Sequence, residues 1–272
     1  MAGQNDRPLN RLERELPEGL LVDTAWLKQR GYSRQLLNHY VGAGWLEQPA
    51  RGVYRRPRGH VSWQRTIISL QSLLEYPLAV GGRTALELQG YAHYLRQGTE
   101  AVHLYGPKAP PAWLKKLPLR TLFIHHNSLK LFQERPTGTA KGDKASHDAG
   151  DSLTVQNWGQ WDWPLTMSTP ERALLELLDE LPAHESFHQA DVLMESLSSL
   201  SPRRLQELLV RCRSVKVKRL FFFFADRHHH AWLKRLDRRS INLGSGKRML
   251  VKGGRFDPVH QITVPEDLDA VQ

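Results

Sequence analysis

Residues 20–58 read LLVDTAWLKQRGYSRQLLNHYVGAGWLEQPARGVYRRPR, and this stretch decides the fold of the first part of the chain. Its pattern predicts a helix, a tight turn, a second helix and a two-stranded hairpin. Asp23 is a typical N-cap for a first helix over residues 24–30. Gly31 ends that helix, because glycine readily takes the left-handed conformation that closes a helix C-terminus.

The second helix, predicted over residues 34–41, has one apolar face and one polar face. Ser33 stands at its N-cap position. The polar face carries Arg34, Gln35, Asn38 and His39. A helix of this kind fits the major groove of DNA, where such side chains read base edges or hold phosphates. We therefore predict that Ser33 and the polar face of this helix contact DNA.

A hairpin follows the second helix, with strands predicted at residues 45–47 and 52–55 around a turn at residues 49–52. Four cations lie on it or just after it: Arg51, Arg55, Arg56 and Arg58. A winged helix-turn-helix has these parts in this order, and its wing cations contact the DNA backbone. The alternative is a helical hairpin whose polar face is only solvated.

The length of 272 residues leaves room for about two domains. We predict a winged helix-turn-helix domain over residues 1–58 and a larger domain over residues 62–272, joined by a short linker. The expected fold class is α/β (α+β): an N-terminal winged helix-turn-helix is followed by a mixed α/β domain with C-terminal helices.

Within the larger domain, the apolar run Phe221–Phe224 predicts a buried helix, and the polar stretch 133–150 predicts a surface loop. Ser168-Thr169-Pro170-Glu171 predicts a helix start with a capping box. Further helices are expected over residues 63–76, 84–89, 172–181, 185–197 and 202–212, and residues 215–236 are expected to be helical for most of their length. Strands are expected over residues 101–105, 120–126, 127–132, 152–158 and 163–167, with short strands or hairpins over 241–264.

The net charge of +10 predicts a polyanionic partner, and nucleic acid is the first choice. Residues 201–255 hold 16 Lys/Arg against 3 Asp/Glu. Glycine turns expose backbone N–H groups, so cations beside them predict a second phosphate-contact surface. Its candidates are Lys216, Lys218, Arg219, Lys247, Arg248, Lys252 and Arg255. The alternative is a solvated helical surface whose charge serves only solubility.

The sequence lacks the patterns of catalytic and metal sites, so we expect neither an enzyme nor a bound metal or cofactor. Four aspartates lie near one another: Asp143, Asp148, Asp151 and Asp162. No strand-borne carboxylate–lysine pair follows them, as a metal-dependent nuclease would need. The Gly-x-Ser-x-Gly motif of a hydrolase is missing. Gly244–Arg248 lacks the first glycine and the Ser or Thr of a phosphate-binding loop.

The histidines at positions 228–230 point in different directions on a helix, which suits no metal ion, and we expect them to be exposed. The single cysteine, Cys212, lies among apolar helix positions and predicts a core thiol in a reducing cytosol. The chain starts with polar residues rather than an apolar signal core, and no apolar run approaches membrane-spanning length. A cytoplasmic protein without a membrane partner is expected.

Taken together, these residues give a sequence that resembles the AbiE-type antitoxins, or AbiEi family, of type IV toxin–antitoxin systems over nearly the whole chain. The motifs that carry the resemblance occur in this order: ARGVYR at 50–55, GRTALELQG at 82–90, STPERALL at 168–175, LGSGKR at 243–248 and KGGR at 252–255.

The resemblance implies a bacterial transcriptional repressor that binds inverted repeats in double-stranded operator DNA upstream of its own operon. It further implies that the larger domain opposes a nucleotidyltransferase-like toxin, with no stable complex required. The family has no catalytic residues to carry over. Two other hypotheses stay open, a nucleic-acid-processing enzyme with a winged-helix targeting domain and a module that neutralises the toxin by direct binding.

Overall fold

The computed structural model describes residues 8–91, 100–133 and 152–269. The first elements are helix α1 (Pro8–Glu15), strand β1 (Leu21–Asp23), helices α2 (Thr24–Gln29) and α3 (Arg34–Gly42), and strands β2 (Glu47–Ala50) and β3 (Val53–Arg55). The strands form an antiparallel sheet in the order β1-β3-β2. Three helices beside a small sheet that ends in a hairpin make a winged helix, as predicted.

Helices α2 and α3 begin at the predicted caps. The Asp23 carboxylate accepts a hydrogen bond from the backbone N–H three positions on, at 2.9 Å, and the Ser33 hydroxyl does the same at 3.2 Å. Gly31 has a φ of +84°, the left-handed conformation expected between the two helices. Leu37 and Tyr40 are buried, so α3 is held by its apolar face and its polar face is exposed.

The second part of the chain contains a five-stranded mixed sheet. Its elements are α4 (Trp63–Ser72), β4 (Ala79–Val80), α5 (Gly82–Leu88), β5 (Ala101–Gly106), β6 (Leu122–Asn127), α6 (Ser128–Leu131), β7 (Leu153–Trp158) and β8 (Trp163–Ser168). The strand order is β6-β5-β4-β8-β7. The pairs β5–β6 and β4–β8 are parallel, whereas β4–β5 and β7–β8 are antiparallel. Helices α4 and α5 pack against this sheet.

A layer of helices lies behind α5. It consists of α7 (Pro170–Asp179), α8 (Phe187–Ser196), α9 (Pro202–Arg211) and α10 (Val215–His228). Helix α7 contacts α5 on one side and the other three helices of the layer on the other. All four phenylalanines of 221–224 are buried, as predicted. A hairpin of β9 (Arg255–Asp257) and β10 (Ile262–Val264) follows.

One predicted strand was wrong. Residues 127–132 form the short helix α6 rather than a strand, because the Asn127 side chain accepts a hydrogen bond from the N–H of Leu129 at 3.0 Å and caps a helical turn. Residues 215–236 are helical for most of their length, as predicted: α10 ends at 228, where His229 takes a left-handed conformation with a φ of +53°, and a 3-10 helix follows over Ala231–Arg235.

The capping box predicted at the start of α7 is also wrong. Ser168 belongs to β8, and Thr169 is the N-cap residue without a side-chain hydrogen bond to the helix. The Glu171 carboxylate instead accepts a hydrogen bond from the backbone N–H of Ser201 at 2.7 Å, which ties α7 to the start of α9. The loop predicted over residues 133–150 lies almost wholly outside the described residues, as do three of the four aspartates noted above, Asp143, Asp148 and Asp151.

Helix α4 joins the winged helix to the larger sheet, because it contacts both β1 and β8. The backbone N–H of Leu21 donates to the Ser69 hydroxyl at 2.8 Å, and that hydroxyl donates to the Arg65 carbonyl at 2.6 Å. The buried apolar residues of both parts form one continuous cluster. The domain boundary between residues 58 and 62 stays a prediction.

Candidate nucleic-acid interface

A cleft of about 630 Å³ lies between α3 and the wing, which is the hairpin of β2 and β3. It is lined by Thr24, Lys28, Tyr32, Ser33, Arg34, Leu37, Asn38, Gln48, Arg51, Gly52 and Tyr54. Three of these described residues are cationic and none is acidic. Hydroxyl, amide and cationic groups are the usual protein partners of DNA phosphates, so the chemistry of the cleft suits a polyanionic backbone.

The predicted contact residues of α3 lie in two exposed rows along the helix. Ser33, Arg34 and Asn38 line the cleft. Gln35 and His39 are also exposed but lie outside the cleft lining. The helix therefore offers one row of polar side chains toward the wing and a second row beside it.

The turn of the wing is anchored to the start of α2. Both the backbone N–H and the hydroxyl of Thr24 donate to the Gly52 carbonyl, at 2.9 and 3.1 Å. Gly52 has a φ of +77°, and a Cβ there would lie 3.1 Å from the Thr24 hydroxyl oxygen, so the turn favours glycine at this position. This anchor fixes Arg51, the residue before the glycine, at the edge of the cleft.

All four wing arginines were predicted to contact phosphates, but the Arg55 side chain is engaged within the protein. Arg55 is only 9% exposed, and its guanidinium pairs with the Glu47 carboxylate at 2.5 Å and donates to the Gly59 carbonyl at 2.6 Å. It joins the two strands of the wing to the linker. The hydrogen-bonding capacity and charge of this guanidinium are thus used within the protein.

Arg56 and Arg58 differ in their availability. Arg56 pairs with the Glu18 carboxylate at 3.0 Å and with Glu13 at 3.6 Å, so its charge is largely matched within the protein. The Arg58 side chain is 84% exposed, and its nearest carboxylate oxygen, on Glu18, lies 3.8 Å away. Of the cations predicted on and after the wing, Arg51 and Arg58 are therefore the accessible ones.

Seven residues that line the cleft were not among the predicted contacts: Thr24, Lys28, Tyr32, Leu37, Gln48, Gly52 and Tyr54. Thr24 and Lys28 are four positions apart on α2 and therefore share a face of that helix, a signal that the sequence contains. The positions of Gln48 and Tyr54 depend on the register of the wing. A bulge between Glu47 and Ala50 shifts that register, and no sequence pattern revealed it.

Comparison with known families agrees with this architecture. Residues 5–97 match the family model described as "Transcriptional regulator, AbiEi antitoxin N-terminal domain", and residues 99–265 match the one described as "Transcriptional regulator, AbiEi antitoxin, Type IV TA system". The chain belongs to the AbiEi antitoxin family. The resemblance drawn from the sequence motifs is thereby confirmed, and the family is one of transcriptional regulators rather than of enzymes.

A solved structure shares the fold of this AbiEi chain. The crystal structure of the RV2827C protein from Mycobacterium tuberculosis superposes with a TM-score of 0.60, covering 98% of this chain and 94% of that chain at 16% sequence identity. At that identity the likeness concerns the fold alone. Among curated proteins, none matches the AbiEi chain in sequence.

Three members of the predicted second phosphate surface are engaged inside the AbiEi protein, which corrects that prediction. Lys218 and Arg219 are 5% and 3% exposed. Arg219 donates to the carbonyls of Leu243, Gly246 and Gln261 at 2.8, 2.6 and 3.1 Å. Burial lowers the pKa of Arg219 below its ordinary value, and the nearby positive charge of Arg248 acts in the same direction. Arg219 therefore organises residues 243–261, which together with the hairpin up to Val264 are called the C-terminal segment.

Lys216 is likewise engaged, because its ammonium group donates to the Leu181 carbonyl at 2.9 Å and to that of Asp179. Exposed cations remain on the C-terminal segment of the AbiEi chain at Lys247, Arg248, Lys252 and Arg255. The Lys247 ammonium lies 4.8 Å from the centre of the Phe256 ring. The candidate second surface is thus reduced to these four residues.

Two of the three consecutive histidines are half-buried, contrary to the prediction that all are exposed. A ring nitrogen of His228 lies 2.7 Å from the Asp191 carboxylate, and one of His230 lies 2.7 Å from the Met194 carbonyl. Within the described parts of the AbiEi chain, no group of three or more His, Cys, Asp or Glu side chains is placed to hold a metal ion. Nor does any helix there have the length and apolarity to cross a membrane.

Proposed function

We propose that this AbiEi chain binds operator DNA through the cleft between α3 and the wing, represses its own operon, and counteracts a nucleotidyltransferase-like toxin. The observation that carries the DNA-binding part is the cleft itself, which is exposed, cationic and lined by no acidic residue among those described. In this proposal residues 1–58 form the DNA-binding domain and residues 62–272 form the antitoxin domain.

The proposed docking follows from the two rows of side chains on α3. The helix enters the major groove, where Arg34, Gln35, Asn38 and His39 reach base edges. One phosphate strand runs along the cleft, where Lys28 and Arg51 neutralise it from either side and the Ser33 hydroxyl lies close by. Arg58 is placed to meet the backbone beyond the wing.

The exposed cations of the C-terminal segment are proposed as a second phosphate contact. These are Lys247, Arg248, Lys252 and Arg255. Such contacts raise affinity and salt dependence without adding base choice. Lys216, Lys218 and Arg219 are not part of this proposal, because their side chains are committed or buried within the protein.

Base reading is tested by replacing Arg34 and Asn38 together with alanine and footprinting the DNA upstream of the gene. Each lost base contact is expected to weaken specific binding by about 1–3 kcal/mol and to relax base choice at its position. Lys115→Ala is the matched control, because it removes an exposed cation from the larger domain, away from the cleft. An unchanged footprint for the double variant would remove α3 as the recognition helix.

Backbone contact is tested separately with Arg51→Ala. Losing one phosphate contact should weaken operator and unrelated duplexes alike, and it should lower the slope of log K against log salt by about 1. The slope is measured by fluorescence anisotropy between low and moderate salt. Selective loss on the operator with an unchanged slope would show that Arg51 does something other than hold a phosphate.

The antitoxin part is tested with the neighbouring gene. Expression of that gene alone should stop growth, and co-expression of this chain should restore it. A reporter driven by the upstream DNA should be repressed by the wild type but not by the Arg34→Ala, Asn38→Ala variant. Co-purification of the two proteins would favour the direct-binding mechanism, whereas protection without co-purification would favour opposition without a stable complex.

A further inference from the structure

A tryptophan-lined cavity of about 200 Å³ lies where the tip of the β7–β8 hairpin meets the start of α4, away from the α3 cleft. Trp158 and Trp163 face each other across the two strands at the tip. Trp161 lies in the turn between them and is 66% exposed. His60 and Arg65 line the opposite side.

The cavity combines aromatic faces with a cation. The Arg65 guanidinium lies 5.8 Å from the centre of the Trp163 ring and donates to the His60 carbonyl at 3.2 Å, which holds it in place. The Trp158 ring is backed by the buried Trp63 ring, with the two centres 6.5 Å apart. No described lining residue is acidic, although Asp162 is exposed in the adjoining turn.

The stability of the β7–β8 hairpin explains the pairing of Trp158 with Trp163 but not the exposure of Trp161. A cross-strand pair such as Trp158 and Trp163 stabilises a hairpin, but an indole left mostly in water at position 161 adds little to the fold. Trp161 adjoins the half-buried Trp158 and Trp163, and a contiguous patch of partly exposed aromatic surface is a feature of ligand-binding sites. Gln64 and Gln160 also line the cavity, and a side-chain amide can both donate to and accept from a ligand.

We propose that this cavity, the tryptophan pocket, stacks an unpaired base of a single-stranded nucleic acid. A nucleobase is planar, so indole rings can stack on its face while amides and Arg65 reach its polar edge. The Arg65 guanidinium also places a positive charge at the pocket itself, which favours a phosphate beside the stacked base. This activity is separate from duplex binding at the α3 cleft.

The test uses the full chain and a fluorescein-labelled ten-nucleotide single strand of deoxyadenosine, followed by anisotropy. An abasic ten-mer has the same phosphates and no bases. The wild type should bind the adenosine strand and bind the abasic strand at least several-fold more weakly. Trp161→Ala should weaken binding of the adenosine strand roughly 5- to 150-fold, the range that corresponds to removal of one aromatic stacking partner. Trp161→Phe should retain most of the affinity.

Two controls separate this site from the duplex site. Trp45→Ala removes an indole that is 48% exposed in the winged helix, and it should leave single-strand binding unchanged. The Arg34→Ala, Asn38→Ala variant should lose duplex binding and keep single-strand binding, whereas Trp161→Ala should do the reverse. The two proposals can therefore fail independently.

Three outcomes would overturn the proposal. The first is equal affinity of the wild type for the adenosine and abasic strands, since phosphates alone would then explain binding. The second is unchanged single-strand affinity in Trp161→Ala. The third is no binding of the adenosine strand by the wild type, and Trp161-dependent binding of a proline-rich peptide in that case would assign the pocket to a protein partner.

Discussion

Arg51 and Arg55 lie four positions apart in the wing, yet they have different surroundings. Arg51 is exposed at the edge of the α3 cleft, whereas Arg55 is enclosed between Glu47 and the Gly59 carbonyl. Arginine is thus a candidate DNA contact at position 51, whereas at position 55 it stabilises the wing. What separates them is the strand register, which turns the Arg55 side chain toward Glu47.

Arg55→Ala should destabilise the winged helix. It leaves the Glu47 carboxylate and a backbone carbonyl without their charged partner, at an expected cost on the order of 1–3 kcal/mol in the free energy of unfolding. Urea denaturation followed by circular dichroism measures this cost. Arg58→Ala, at an exposed position, should stay within about 0.5 kcal/mol of the wild type. Equal effects of the two replacements would contradict the role assigned to Arg55.

Cys212 should be unreactive in the folded protein. Burial raises the pKa of its thiol from 9.0 to about 11, outweighing the opposing effects of a backbone hydrogen bond with Ser214 and of the charge of Lys218. At pH 8 roughly a thousandth of the thiol is ionised, and the thiolate is the reactive form. Mass spectrometry after iodoacetamide treatment should find little label on the native chain and full label in denaturant.

The same shift has a defined sign for stability. A raised pKa means that folding favours the neutral thiol. The contribution of Cys212 to the free energy of unfolding is therefore complete below pH 9, and it is lost as the pH rises from about 9 toward 11. Rapid labelling of Cys212 in the native protein at pH 8 would contradict both statements.

At the scale of elements, the C-terminal segment is organised by side chains that approach it from α10. Arg219 holds the carbonyls of three backbone positions between 243 and 261. His260 lies between two carboxylates, with its ring nitrogens 2.8 Å from Asp226 and 2.9 Å from Asp257. The segment has little regular structure of its own, so its shape depends on these contacts.

Arg219→Met should loosen residues 243–261 while leaving the rest of the fold in place. Three carbonyls lose a charged donor, and a loss on the order of 2–3 kcal/mol is expected. Arg219→Lys should recover only part of it, because an ammonium lacks the planar fork that serves several acceptors at once. Hydrogen exchange read by mass spectrometry locates the loss. Arg248→Met, at an exposed neighbour, should leave exchange unchanged.

At the scale of the whole molecule, the winged helix and the larger domain are coupled through α4. Ser69 is fully buried there and accepts the N–H of Leu21 from the other part of the chain. The apolar core runs through both parts without a break. Such a junction couples the winged helix to the larger part of the chain rather than letting the two parts move freely.

We therefore expect one cooperative unfolding transition, with tryptophan fluorescence and circular dichroism giving the same midpoint. Ser69→Ala leaves the Leu21 N–H buried without its partner and should lower the free energy of unfolding by about 1–3 kcal/mol. Ser72→Ala, at an exposed position on the same helix, is the matched control. Two separate transitions in the wild type would show that the junction does not couple the parts.

Much of this architecture was predictable from local sequence signals. The caps at Asp23 and Ser33, the turn glycines and the period of apolar residues predicted the winged helix, because caps, turns and amphipathic faces act over a few neighbouring residues. The same signals predicted most helices of the larger domain and the burial of Phe221–Phe224. The shortest elements were not predicted. The two-residue strand β4, for example, is defined only by its pairing with β5 and β8, which lie far from it in sequence.

The assignment of individual charges needed the tertiary structure. Sequence alone determined that the chain is basic, that a polar helix face follows Ser33, and that cations concentrate in the wing and in residues 201–255. Only the folded chain decided that Arg51 is offered to solvent while Arg55 and Arg219 are bound to the protein itself. The physical reason is that a guanidinium reaches partners far away in sequence, here a carboxylate on another strand and carbonyls more than twenty positions on. No local pattern encodes such partners.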